Sequence, residues 1–159
     1  IRRPPRSTLD RSSAASDVYK RQEKDGVSFV DDYAHLPTEI EAAIQAAKEG
    51  NWNRIVAVFQ PHRYTRTNDL AKEFAESFDA ADEVIVTGIY PAGEKAIPGV
   101  TGKLVADAVA GKKTDSIIRY CEHREELIFL LDDLLEEGDL CLTLGAGDLT
   151  NVPSQMLGA

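Results

Sequence analysis

Five short apolar runs, Val27–Val30, Ile55–Phe59, Glu83–Thr87, Ser116–Tyr120 and Leu140–Leu144, alternate with amphipathic stretches along the chain. No other feature narrows the possible folds as much. Ile55-Val56-Ala57-Val58-Phe59 has no polar member, the pattern of a strand covered on both faces. Between the runs, Ile40, Ala43, Ile44 and Ala47 recur at the helical i, i+3, i+4, i+7 spacing. Pro37 suits the first turn of that helix, Glu39 and Glu41 its positive end, and Gly50 its stop. Leu70, Phe74, Phe78 and Ala81 predict a second helix over about 68–81. Leu104, Val105, Ala108 and Val109 mark a short third, and Leu127, Leu130, Leu131 and Leu134 a fourth.

Strand–helix repeats with short connections imply an α/β fold: a Rossmann-like, doubly wound, mostly parallel sheet with helices on both faces. A length of 159 residues with 43% hydrophobic content suits one domain with a real core. No stretch approaches the run of about 18 apolar residues that spans a bilayer, so membrane insertion is not expected. The net charge of −9 is unevenly spread. Residues 1–22 hold six Lys/Arg and two Asp, whereas residues 23–159 hold twelve Lys/Arg and twenty-five Asp/Glu. An acidic body disfavours nucleic-acid binding, which rests on phosphate neutralisation. Cys121 and Cys141 lie in apolar runs without metal-ligand spacing, so two buried thiols and a cytoplasmic setting are expected. Residues 1–22, rich in Arg, Ser and Pro without apolar periodicity, resemble translated cloning-adapter sequence and are expected to be a disordered, non-native tail. The domain is expected over residues 23–159.

Loops that follow parallel strands emerge at one edge of the sheet, where open α/β sheets place their ligands. Asp32, Tyr33, His35, Arg63, Arg66, Tyr90, Glu94 and Asp148 are therefore expected on one rim. Two of the three histidines, His35 and His62, lie in the first two of these loops. Helix capping by Asp32 and core packing of His35 are the bland readings of those residues. Two arginines and a second histidine on the same rim favour a ligand site instead. Arginine presents a planar fork of donors that matches a carboxylate or phosphate, so Arg63 and Arg66 mark an anion site. Gly145-Ala146-Gly147 follows a strand, but Thr150 stands where a dinucleotide fingerprint needs its third glycine. The chain contains no GxxxxGK[ST], GxSxG or HExxH motif, so phosphate chemistry needs parts from elsewhere.

The segments DDYAHLPTEI, FQPHRYTRT, IYPAGEKAIPG and LGAGD, in this order and spacing, resemble the C-terminal domain of the Mur ligase family of peptidoglycan synthesis. DxAHxP is shared with other Mur ligases and folylpolyglutamate synthases, whereas QPHRYTR with YPAGE is specific for the L-alanine-adding branch. The resemblance covers about residues 23–159. It implies a cytoplasmic ATP-dependent ligase, of which this chain is a piece that is inactive alone. The absent N-terminal domain would bind UDP-N-acetylmuramate, and the absent central domain would carry the P-loop and magnesium. ATP would phosphorylate the lactyl carboxylate, and the amine of L-alanine would attack the acyl phosphate. By position, the resemblance puts Asp32 on the ATP ribose and Tyr33 and His35 beside the amino acid. It puts Arg63 and Arg66 on the amino-acid carboxylate and makes His35 the residue that orients or deprotonates the amine. No residue of this chain is assigned to a metal. Leu36 stands where many members carry a second histidine, so no proton-transfer role falls there. Two other readings remain: a murein-tripeptide recycling ligase, and a non-catalytic nucleotide- or anion-binding module.

Overall fold

The computed structural model describes residues 20–112 and 115–158, the side chains of residues 20 and 21 excepted. Six strands form one sheet: β1 (Lys20–Lys24), β2 (Val27–Asp32), β3 (Arg54–Phe59), β4 (Glu83–Thr87), β5 (Ile117–Cys121) and β6 (Asp139–Leu144). Their order across the sheet is β1-β2-β6-β3-β4-β5. All neighbours are parallel except β1, which pairs antiparallel with β2. The doubly wound α/β reading is thus correct, and β6 returns to lie between β2 and β3.

Five strands are expected from the sequence, and the sixth is β1. Lys20-Arg21-Gln22-Glu23-Lys24 carries no apolar side chain, because it is an edge strand whose charges discourage further pairing. The two-residue turn Asp25-Gly26 places both residues at positive φ, 55° and 80°, the geometry that favours Asp-Gly in hairpins. β1 begins at Lys20, ahead of the boundary expected at residue 23. The rest of the expected tail, residues 1–19, lies outside the described residues.

Alternation along the strands sends side chains into two cores. Val30, Ile55, Ala57, Phe59, Val84, Val86, Leu140, Leu142 and Leu144 face one side. There they pack against α1 (Pro37–Ala47), α2 (Tyr64–Phe74) and α3 (Lys103–Lys112) through Ile40, Ile44, Phe74, Val105 and Val109. Val27, Phe29, Val56, Val58, Ile85 and Cys141 face the other side. α4 (Arg124–Leu134) and the short α5 (Val152–Met156) cover them with Leu127, Leu131 and Val152. Each fully buried Leu, Ile or Phe contributes about 1.5–3 kcal/mol, so these two layers hold the sheet together. Cys121 and Cys141 are buried free thiols, and burial pushes Cys141 up to about 12. Among the described residues no helix is long and apolar enough to cross a membrane.

α2 departs from expectation at both ends. It begins at Tyr64, not near Asn68, and ends at Phe74, with Phe78 and Ala81 reaching the core from turns. Its early start has no local sequence signal, because the acceptor at its first turn comes from another loop.

The N-terminal end of the sheet carries a ladder of alternating charge. Asp139 on β6, Arg54 on β3, Glu83 on β4 and Arg119 on β5 stand in that spatial order. Arg54 donates Nε to Asp139 Oδ1 at 3.0 Å and Nη2 to Oδ2 at 2.5 Å, and its Nη1 lies 3.7 Å from Glu83 Oε1. Arg119 Nε donates to Glu83 Oε2. Both carboxylates are almost fully buried.

Candidate functional site

The opposite end of the sheet gathers the polar loops. Asp31 and Asp32 are the last residues of β2, which runs further than its apolar part suggests. The strand ends are tied together, Gly145 N–H donating to Asp32 C=O at 3.1 Å and Gln60 N–H to Leu144 C=O at 3.0 Å. Asp31 accepts from Thr143 Oγ1 at 2.7 Å and Thr150 Oγ1 at 2.6 Å, anchoring the turn after β6. Asp32 Oδ1 accepts from Ala34 N–H at 2.9 Å. Burial pushes the Asp32 carboxyl above the usual carboxylate range; the Ala34 N–H opposes this, and the charges of Asp31 and Glu39 add to it.

Leu36, ahead of Pro37, has the extended conformation a following proline demands, φ −102° and ψ 155°. It has no side-chain acceptor for the start of α1. Instead Glu39 Oε1 accepts from the backbone N–H of both His35 and Leu36 at 3.1 Å, half of a capping box. That brace fixes the backbone at His35 and Leu36.

Four rings then run across the rim in a chain. Tyr33 meets His35 edge-on with centroids 5.6 Å apart, and His35 lies 5.7 Å from His62. His62 stacks on Tyr90 at 5.5 Å and 16° between planes. A short parallel bridge pairs His62 with Tyr90, Tyr90 N–H donating to Pro61 C=O at 2.9 Å and Arg63 N–H to Tyr90 C=O at 2.8 Å. Gly147 closes the far side: a Cβ there would fall 2.5 Å from Tyr90 Cγ and 2.6 Å from Gln60 Oε1.

Hydrogen-bond partners give the Nδ1 atoms of the two imidazoles opposite roles. His35 Nδ1 lies 3.1 Å from the Tyr33 carbonyl and 3.5 Å from Glu39 Oε1, both acceptors, so Nδ1 carries a proton. His62 Nδ1 lies 3.0 Å from Arg66 Nη1, which only donates, so here Nδ1 accepts and Nε2 carries the proton. Burial lowers the His62 pKa, and the positive charge of Arg66 adds to the effect. Arg66 Nη1 also donates to the His62 carbonyl at 3.2 Å. Arg63 instead extends toward Glu94, Nη1 standing 4.0 Å from Oε2, with its side chain 44% exposed. Its backbone is strained, at φ 78° and ψ 142°.

The rim also holds a group that motif reading passes over. Gln60 Nε2 donates to Asp148 Oδ1 at 2.8 Å, its Oε1 accepts from Leu149 N–H at 3.2 Å, and Arg124 Nη2 pairs with Asp148 Oδ1 at 2.7 Å. Gln60 is buried just past the end of β3, and an amide directly after an apolar run and two residues before His62 was the available signal. These three residues wall a cleft of about 290 Å³, whose other side includes Tyr64, Tyr120 and Glu122. A second cleft, about 430 Å³, lies at the Tyr33 end of the ring chain, lined by Asp32, Tyr33, Ala34, Glu39, Ala42 and Ala43. Among the described residues no group of three or more His, Cys, Asp or Glu side chains is placed to hold a metal ion.

Known proteins agree with this architecture. The UDP-N-acetylmuramate–L-alanine ligase of Myxococcus xanthus is 47% identical over 137 residues, covering 86% of this chain and 29% of that protein. The enzyme of the same name from Brachyspira hyodysenteriae is 44% identical over 130 residues, covering 81% and 28%. The crystal structure of UDP-N-acetylmuramate-alanine ligase from Thermotoga maritima matches with a TM-score of 0.67 and 29% identity, over 87% of this chain and 28% of that one. The chain spans under a third of the length of the curated relatives it matches. The family described as Mur ligase, glutamate ligase domain, matches residues 18–147, and the chain belongs to it.

Proposed function

We propose that this chain is the amino-acid-binding, C-terminal domain of an ATP-dependent ligase that joins L-alanine to UDP-N-acetylmuramate in the cytoplasm. The observation that carries the reading is the pair of imidazoles, His35 and His62, 5.7 Å apart, with Nδ1 of one facing an acceptor, Nδ1 of the other facing Arg66, and the charges of Arg66 and Arg63 beside them. A free amino acid presents a carboxylate and an ammonium on one carbon. Arg63 and Arg66 supply donors for the carboxylate, and the Nε2–H of His62 adds a neutral one. The ammonium, protonated at neutral pH, must shed a proton before it can attack an acyl phosphate. His35, oriented by its Nδ1 contact to the Tyr33 carbonyl, takes that proton on Nε2 when its ring is neutral.

Tyr33, between His35 and the 430 Å³ cleft, bounds the amino-acid site on one side. The cleft itself suits part of ATP: its alanines offer an apolar floor, and Asp32 offers a carboxylate for the ribose hydroxyls. ATP supplies the phosphoryl group that activates the lactyl carboxylate, bound by domains that carry a P-loop. Magnesium belongs with those domains in this reading, and no step on the present residues runs through it.

The test is substrate-dependent phosphate release by the full-length ligase. Release is expected only with UDP-N-acetylmuramate, ATP and L-alanine together, and the 159-residue chain alone should release none. The 290 Å³ cleft beyond Tyr64 favours one rival, a ligase whose nucleophile is the murein tripeptide. Turnover with the tripeptide at least as fast as with L-alanine would replace the alanine reading with that one.

The Asp32 assignment carries its own expected result. A carboxyl whose folded pKa is raised adds stability below its unfolded pKa and loses it as pH rises through the folded value. At neutral pH Asp32 therefore weakens the fold. Asp32→Asn keeps an acceptor for Ala34 N–H and removes the charge. It should raise the melting temperature by roughly 1–3 °C at pH 7 and less near pH 4, while raising the KM for ATP. A lower melting temperature at pH 7 would count against the cost of burying the Asp32 charge, and an unchanged KM for ATP against the ribose contact.

A further inference from the structure

α2 begins without a cap of its own. Arg63, at the N-cap position, offers no side-chain acceptor to the first turn, and no acidic residue lies in that turn. Two of the free N–H groups there are nevertheless met. Glu94 Oε1 accepts from Tyr64 N–H at 2.7 Å and Thr65 N–H at 3.1 Å, and Oε2 accepts from Thr65 Oγ1 at 2.6 Å. The acceptor thus arrives from a loop some thirty residues further along the chain.

The loop is shaped to deliver it. Residues Pro91–Glu94 make a tight turn closed by Glu94 N–H to Pro91 C=O at 3.0 Å, with Ala92 at φ 53° and Gly93 at φ 88°. A non-glycine residue held at positive φ marks a conformation its surroundings impose. Tyr90, just ahead, is locked to Pro61 and Arg63 through backbone hydrogen bonds. Three features therefore converge on the same residues: a remote cap, an imposed turn and a backbone bridge. All three brace the stretch His62–Arg66. The Thr65 hydroxyl and N–H also hold the Glu94 carboxyl below the usual carboxylate range, so it stays ionised and accepting.

We propose that Glu94 is a positioning residue for the amino-acid site, capping α2 from the loop after β4 and so fixing where Arg63 and Arg66 present their guanidinium groups. The proposal rests on the reading of those arginines as a carboxylate clamp, and it assigns Glu94 no contact with substrate. Its carboxylate acts through helix geometry. A helix that frays at its first turn moves Arg66 and releases Arg63 from its strained conformation, and small displacements at a reacting site weaken use of the substrate.

Two variants separate capping from charge. Glu94→Ala removes every acceptor. Glu94→Gln keeps an amide oxygen for the Tyr64 and Thr65 N–H groups but discards the charge beside Arg63. In the 159-residue chain, Glu94→Ala should speed amide hydrogen exchange at Tyr64 and Thr65 by roughly 5- to 10-fold, with Glu94→Gln close to the parent. In the full-length ligase, Glu94→Ala should raise the KM for L-alanine by about the same factor, with less change in kcat or in the KM for UDP-N-acetylmuramate. Glu94→Gln should recover most of that loss. Parental exchange rates in Glu94→Ala, or faster exchange with an unchanged KM for L-alanine, would overturn the positioning role. So would a glutamine variant as impaired as the alanine one. The exchange measurement needs no substrate, so it judges the cap even where the parent ligase fails to use L-alanine, a result that would sink the functional reading instead.

Discussion

Arg63→Gly is expected to cripple amino-acid use while making the fold more stable. In the full-length ligase, kcat/KM for L-alanine should fall about 10- to 150-fold, the equivalent of one lost charge-assisted hydrogen-bond pair. The KM values for UDP-N-acetylmuramate and ATP should move less than about twofold. Stability should move the other way because Arg63 sits at φ 78° and ψ 142°, a region that glycine occupies freely. Such strain is worth about 1–3 kcal/mol, partly offset by the extra unfolded-state freedom of glycine. The side chain itself gives little back, since its ion pair with Glu94 is at 4.0 Å and it is 44% exposed. A melting temperature raised by roughly 2–4 °C is the expected sum. Arg63→Ala is the internal control, because alanine loses the guanidinium yet keeps the strain. It should lose activity equally without the gain in stability. Equal losses for both carbon substrates would remove the carboxylate clamp, and a glycine variant that melts below the parent would remove the strain argument.

The second large effect lies at the other end of the sheet. Arg54→Met should destabilise the domain by about 3–5 kcal/mol, lowering its melting temperature by roughly 6–20 °C. Arg54 is the bridge between Asp139 and Glu83, whose side chains are each only 2% exposed. Its removal leaves one buried carboxylate without a counter-charge and the other with Arg119 alone. Breaking such a group from one side is far worse than dismantling it. The double variant Arg54→Met with Asp139→Asn should therefore recover a large part of the loss, since asparagine still accepts from Glu136 N–H, now met by Asp139 Oδ2 at 2.8 Å. Acidification should also narrow the deficit of the single variant, as the freed carboxyl takes up a proton. A single variant that melts within about 2 °C of the parent would show that the ladder contributes little. The network stands at strand beginnings and the ligand rim at strand ends, so KM for L-alanine should not follow this melting temperature.

The two cores were readable in advance because they depend on periodicity. Ile40, Ile44, Phe74, Leu127 and Leu131 repeat at helical spacing, and the five parallel strands are nearly unbroken apolar runs. β1 escaped that reading because an edge strand holds itself by backbone hydrogen bonds, which any side chain permits. The start of α2 escaped it for a related reason. Its capping oxygen belongs to Glu94, and a reading window around Tyr64 does not contain it.

For the rim, sequence order alone was enough to say that loops after parallel strands emerge together, so Asp32, Tyr33, His35, Arg63, Arg66, Tyr90, Glu94 and Asp148 were expected at one edge. Which of them touch is a different kind of information. The stacking of His62 on Tyr90, the pairing of Asp148 with both Gln60 and Arg124, and the approach of His35 to His62 each depend on distances between segments far apart in the chain. Periodicity is local and survives in a string of letters. Proton placement on an imidazole is decided by whichever atom stands about 3 Å away, and only the folded chain determines which atom that is.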